Sequence, residues 1–238
     1  MTKYTLLPLF LLALGGCSAI RPATMQMPSD LAQTASATPI TGIGGGRHGR
    51  FAVGDYHGGF ERSEERLAFF DMFGANTGHV DFSIEGPEIS DVIDTSCRMR
   101  EREIDLGIME FKPARMALRC EFLADGRPFP ARLELQEVSK GLGGALGRRE
   151  RRGEIALGGE VVRMRSVHRV EGSPLAVAAP IGYIFEQRGR PVGAVELNGQ
   201  ARLFLAPGTD PGLARTVTIA AAALAIFWDP ANSALDPD

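Results

Sequence analysis

The segment Thr216–Trp228 constrains this chain more than any other part of it. It is apolar on every side apart from two threonines, and it contains four alanines in succession, Ala220 to Ala223. Asp210 is an N-cap residue, Pro211 suits the first helical position and Asp229-Pro230 ends the run, which predicts a helix over 211–228. A helix without a polar face must be buried on all sides. From Thr216 onward it reaches only about 20 Å, short of the roughly 30 Å of a bilayer's hydrocarbon, so the burial must come from protein. The alanines keep it slim, as close packing among strands requires.

What lies upstream is a supply of strands. The 29 glycines and 15 prolines punctuate short apolar runs. Strands are expected at 80–84, 97–106, 114–123, 131–138, 154–157, 161–170, 177–187, 192–197 and 202–205. Periodicity leaves Glu61–Met72 open between strand and short helix. Two hairpin signals share their turn chemistry: Gly126-Arg127-Pro128 leads into Ala131–Leu135, and Gly189-Arg190-Pro191 into Ala194–Leu197. The fold expected is mainly β, an antiparallel barrel-like sheet of about ten to twelve strands around or against the apolar C-terminal helix. A β-sandwich with one covering helix is the alternative. Strand order, the C-terminal helix and the hairpin of Gly182-Tyr183-Ile184-Phe185 and Gly189-Arg190-Pro191-Val192-Gly193 resemble the tubby-like barrels. That group includes LURP-one-related and scramblase-related proteins. The resemblance covers 51–228 and implies strands wrapped around the helix, and lipid or phosphoinositide as a ligand class.

The N-terminus carries a different kind of signal. Lys3 is a short positive region, Tyr4–Leu14 an apolar core too short to cross a bilayer, and small residues follow. Leu14-Gly15-Gly16-Cys17 resembles the lipobox of bacterial lipoproteins, which implies cleavage before Cys17 and acylation of its thiol. Ser18 after the cysteine, in place of the aspartate that favours inner-membrane retention in that family, implies the outer membrane, facing the periplasm. Several acyl chains on one N-terminus give stable anchoring. The expected organisation is a signal peptide over 1–16, the lipidated cysteine and a flexible tether over 17–49, a β-rich periplasmic domain over 50–229, and a disordered tail over 230–238. The glycines at 42–46 belong to that tether, since they lack the Lys-Ser/Thr ending of a phosphate-binding loop.

Two cysteines remain, Cys97 and Cys120. In an oxidising compartment an even pair favours a disulfide over two buried thiols. If they face one another across a hairpin, the turn falls at Gly107–Glu110, and Cys97, Met99, Met116, Leu118 and Cys120 share an inward face. The outward face then carries Arg98, Arg100 and Arg102, with Arg119 opposite Arg98 and Arg115 opposite Arg102. Like charges so opposed are unfavourable unless acids such as Glu134 neutralise them or an anion sits there. The five arginines are therefore the candidate anion-binding site, beside the plainer reading of a solvated face. A second cluster, Arg148, Arg149, Arg151 and Arg152, is read as an exposed hairpin tip that could also meet anionic lipid.

Removing the signal deletes Lys3 and no acid, moving the formal charge from -3 to -4. That balance gives no reason to expect nucleic acid. His48, His57, His79 and His168 lie far apart, so no metal or other cofactor is expected. No serine stands in a nucleophile elbow. The residues point to a non-enzymatic envelope lipoprotein, held to the membrane through its lipid and binding a lipid or another envelope component. A protein-interaction domain is the alternative, and an envelope hydrolase or transferase the last.

Overall fold

The structure, a computed structural model, describes residues 24–69, 73–105, 110–138 and 149–230. The signal segment, Cys17 and Ser18, the turn expected at 107–110 up to Met109, and the tail beyond Pro230 lie outside the described residues.

Twelve strands close into one antiparallel barrel in which each strand pairs with its neighbours in sequence. A short helix, α1 (Ser29–Thr34), precedes β1 (Ser36–Thr41), β2 (His48–Val53), β3 (Tyr56–Phe69), β4 (Phe73–Ile84), β5 (Ile93–Asp105) and β6 (Glu110–Ala124). Then follow β7 (Arg127–Glu137), β8 (Arg151–Leu157), β9 (Glu160–Val167), β10 (Gly182–Gln187), β11 (Arg190–Glu196), β12 (Arg202–Leu205) and α2 (Pro211–Ile226). Closure comes from β1, which pairs with β12 on one side and β2 on the other. The sandwich alternative is thereby excluded, and Glu61–Phe69 is strand.

Inward positions alternate with exposed ones, as a half-buried sheet demands. Val80 and Phe82 on β4, Cys97 and Met99 on β5, Leu118 on β6, Leu133 on β7, Ile155 on β8, Val162 on β9 and Phe185 on β10 join one core with α2. Val217, Ile219, Ala220, Ala221 and Ala222 of that helix are wholly buried. The barrel width explains the alanines. Eight strands leave an interior that side chains alone fill, whereas sixteen leave a channel, so twelve hold something of intermediate girth. Asp210 caps α2, its Oδ1 accepting from the Gly212 N–H at 2.9 Å, as its place in the sequence predicted.

Cys97 and Cys120 are directly paired positions and form a disulfide on the inward face. Arg98 does face Arg119, but Arg102 pairs with Ala114 and not with Arg115. The register shifts because Arg115 and Met116 together oppose Glu101, and again where Lys112 and Pro113 oppose Glu103. Proline has no N–H to donate to a ladder, and a bulge accommodates it.

The tether expected over 17–49 needs correction from residue 24 onward. Met25 bridges to Val170, α1 packs Leu31 on the outer wall with Ile184, Ala194 and Phe204, and β1 completes the sheet. Its only buried position is Ile40, so the stretch shows no hydrophobic alternation. Closure runs through main-chain hydrogen bonds, which every residue but proline can complete.

Replacing Ala222 by Asp should abolish the cooperative unfolding transition followed by circular dichroism, because a carboxylate there is buried without a partner. Replacing Cys97 and Cys120 by Ala should lower unfolding free energy by about 3 kcal/mol in denaturant titrations, from a crosslinked loop whose ends are 23 residues apart.

Candidate functional site

Strand direction sorts the two mouths of the barrel. Odd-numbered strands end, and even-numbered strands begin, at the mouth where α2 also ends. There the interior turns from apolar to polar. Arg62 and Glu64 on β3, Glu101 on β5, Arg151 on β8, Ser166 on β9 and Tyr183 on β10 hold the inward phase at this end.

The last turn of a helix leaves carbonyls without partners and carries the negative end of its dipole. Arginines answer both demands. Arg62, almost fully buried, donates from Nη1 to the Ile226 carbonyl at 2.8 Å and from Nε to the Gly46 carbonyl at 3.0 Å, with a further bond to Gly44 O. Its guanidinium lies 4.5 Å from the Trp228 ring centre and 5.1 Å from that of Phe60. Arg66 donates to the Pro230 carbonyl at 3.2 Å. The glycines at 44 and 46, read from sequence as part of a linker, thus offer carbonyls to a buried cation.

Arg151 is the second anchor. Its side chain is inaccessible, and both terminal nitrogens bond the carboxylate of Asp229, Nη2 to Oδ1 at 2.7 Å. Tyr183 is buried beside this pair. Burial, with Asp229 adding to it and Arg151 opposing it, pushes its phenol up to about 12. The hydroxyl therefore stays protonated as a donor.

Next to Arg151, the Ser166 hydroxyl accepts the Arg151 N–H at 2.8 Å and lies 2.9 Å from Nε2 of His168. His168 Nδ1 lies 3.1 Å from the Val177 carbonyl, which can only accept, so Nδ1 carries the proton and Nε2 accepts from the serine. Burial pulls this imidazole below its ordinary range, against the Val177 hydrogen bond, which keeps it neutral near pH 7. The pair closes the main-chain groups where β9 passes into the loop before β10. It borders an open cleft of about 520 Å³ that Arg152, Arg165 and Arg169 also line.

A larger cleft of about 700 Å³ opens at the same mouth beside the end of α2. Ile40, Ile43, Leu197, Leu224, Phe227 and Trp228 give it apolar walls, while Tyr183, Gln200 and Asp229 add polar groups. Its size and mixed lining suit a small organic ligand.

Of the residues singled out by sequence, Arg98, Arg100 and Arg119 come together with Glu121 in a depression of about 320 Å³ on the outer wall. Arg119 is partly balanced by Glu134 at 3.8 Å. Arg102 and Arg115 are exposed farther along these strands, separated by the bulge. Arg151 corrects the exposed-tip reading of its cluster. Arg152 is exposed as expected, Arg149 lies 4.0 Å from the buried carboxylate of Glu101, and Arg148 lies outside the described residues. The period of two through Ile155 and Leu157 runs back to Arg151 and marks it as inward. Asp229 gave no such signal, having been read only as a helix stop. No group of residues suited to a metal ion occurs among the described residues, and no described helix is long and apolar enough to cross a membrane.

Compared with known protein families, with curated proteins and with solved structures, the chain matches none.

Replacing Arg151 by Met should cost about 3–5 kcal/mol in equilibrium unfolding, since a carboxylate buried beside it loses its opposite charge. Adding Asp229→Asn to that variant should restore most of the loss, because the charge left behind is then gone.

Proposed function

We propose that this chain is an envelope lipoprotein, anchored through Cys17 to the outer membrane and facing the periplasm, whose barrel holds the apolar part of a lipid beside its central helix. The observation that carries this reading is the cleft of about 700 Å³ at the C-terminal mouth. A packed barrel end needs no such space, and the half-buried Ile43, Leu197 and Trp228 border it beside the buried Ile40, Leu224 and Phe227. Tyr183, protonated and fixed by Arg151, supplies a donor for the carbonyl or headgroup oxygen at the polar end of such a ligand.

Other features support the setting. The lipobox and Ser18 support lipid anchoring and the outer membrane, and the Cys97–Cys120 disulfide suits an oxidising compartment. The twelve-stranded barrel around an apolar helix supports the likeness to the tubby-like group, some of whose members bind lipids. Fold alone does not assign a ligand, so the cleft has the greater weight.

Protein purified from its own membranes, extracted with organic solvent and analysed by mass spectrometry, should release a lipid in addition to the chains on Cys17. Replacing Ala225 on the cleft wall by Trp should reduce that lipid at least about tenfold by filling the space, in keeping with a lost pocket contact of over 1.4 kcal/mol. A parent protein that releases none, or a variant that releases as much, would overturn the reading.

A further inference from the structure

The end of β9 brings a hydroxyl and an imidazole together in a way that exceeds the needs of a main-chain cap. Ser166 is the last residue but one of β9, and His168 follows its end. Residues two apart on an extended chain share a face, so the two side chains meet. The Ser166 Oγ lies 2.9 Å from His168 Nε2, and His168 Nδ1 lies 3.1 Å from the Val177 carbonyl.

This is the order of groups that activates a nucleophile: a hydroxyl, a base within hydrogen-bond reach, and an acceptor that orients the base. The Val177 carbonyl takes the Nδ1 proton, which leaves the Nε2 lone pair for the hydroxyl. Ser166 donates to Nε2 and accepts the Arg151 N–H at 2.8 Å. A hydroxyl oxygen has two lone pairs, so one remains uncommitted. Burial keeps the ring in its neutral, proton-accepting form, while the Val177 hydrogen bond and the Glu150 carboxylate favour the imidazolium that a proton transfer creates.

The pair is not sealed in the core. Ser166 is partly exposed, and both residues line the cleft of about 520 Å³. At this rim the cleft also meets groups from the outer face of the sheet. Arg152 and Arg165 are directly opposed on β8 and β9, an unfavourable pairing of like charges. Arg165 is held by Glu186 at 2.7 Å and Arg151 by Asp229. Arg152 and Arg169, both exposed, have no acid within ion-pair distance among the described residues. Two uncompensated guanidinium groups beside a nucleophile and its base select a substrate with negative charge, and they favour the oxyanion that develops when a carbonyl is attacked.

We propose that Ser166 and His168 are the catalytic residues of an ester hydrolase whose substrate carries an anionic group held by Arg152 and Arg169. The Ser166 Oγ attacks the ester carbonyl carbon as its proton passes to His168 Nε2. The tetrahedral intermediate collapses, the bond to the leaving alcohol breaks, and that oxygen takes the proton from Nε2. Water then attacks the acyl-serine and gives a proton to Nε2, which returns it to Ser166 as the carboxylic acid leaves. This cleft shares no lining residue with the apolar one of about 700 Å³, so the inference does not rest on an occupied lipid cleft.

The test uses the full-length chain in detergent. It should hydrolyse 4-acetoxy-3-nitrobenzoate with a kcat/KM, taken relative to the uncatalysed rate, at least about tenfold above that for 2-nitrophenyl acetate, the same ester without the carboxylate. Arg152→Ala and Arg169→Ala should each diminish that preference, chiefly through KM. Arg163→Ala, outside the cleft, should leave both rates unchanged. Ser166→Ala and His168→Gln should each lower turnover at least about a hundredfold with the circular dichroism of the parent retained. An alkyl fluorophosphonate should add to Ser166, read as a mass increase on its peptide: the Oγ–P bond forms, fluoride leaves, and Nε2 takes the proton. A parent that hydrolyses neither ester, an adduct that is absent or sits on another residue, or a folded Ser166→Ala chain with the parent's rate would overturn the proposal. Equal turnover of the two esters would overturn its substrate class. Should Ser166→Ala fail to fold, the adduct on the parent decides.

Discussion

A helix that is apolar all round and built on consecutive alanines can neither face water nor fill a wide space, and everything else in this structure answers to that. Ala220 to Ala223 offer no long side chains, so neighbouring strands must come close on every side. A closed sheet meets the demand without leaving edges, and twelve strands give an interior between one that side chains fill and one that stays open. The alternation of Cys97, Met99, Leu118 and Leu133 toward the interior is the sheet's half of the same contact. Hydrophobic burial drives the enclosure, and main-chain pairing from β1 to β12 completes it.

The helix also makes the two mouths unlike. At its start, one aspartate side chain meets the free N–H groups. At its end, free carbonyls and the Asp229 carboxylate draw in Arg62, Arg66 and Arg151, whose burial is tolerated because each is hydrogen-bonded or paired. Those long side chains hold the rim polar and irregular, and the large cleft opens beside them. The site is thus a by-product of ending an apolar helix inside a barrel, in the sense that the charges which finish the helix also frame the opening.

Legibility in the sequence followed physical locality. Strands from β4 to β12 showed in apolar runs between turn residues, and the disulfide register followed from placing two cysteines across one hairpin. β1 did not show, because a strand that contributes one inward residue has no alternation to display. The clash of Arg98 with Arg119 was legible, whereas the displacement of Arg115 was not, since a bulge depends on how two strands pair. Arg151 could have been found by extending the period of two back from Ile155, but its position in a run of arginines read as surface. Asp229 and Tyr183 could not, as their roles depend on residues 78 and 32 positions from Arg151.

By itself, the sequence determined that this protein needs an enclosed helix, a predominantly β wall, a disulfide across β5 and β6, and an export signal with a lipid-acceptor cysteine as an expectation. These are statements about composition and short-range pattern, where each residue's preference acts within a few neighbours. Only the tertiary structure decided that β1 closes the sheet, that Arg62 and Arg151 turn inward to the helix end, and that a cleft remains there. Closure fixes those relations, because strand ends far apart in sequence line one common rim only once the first strand has met the last.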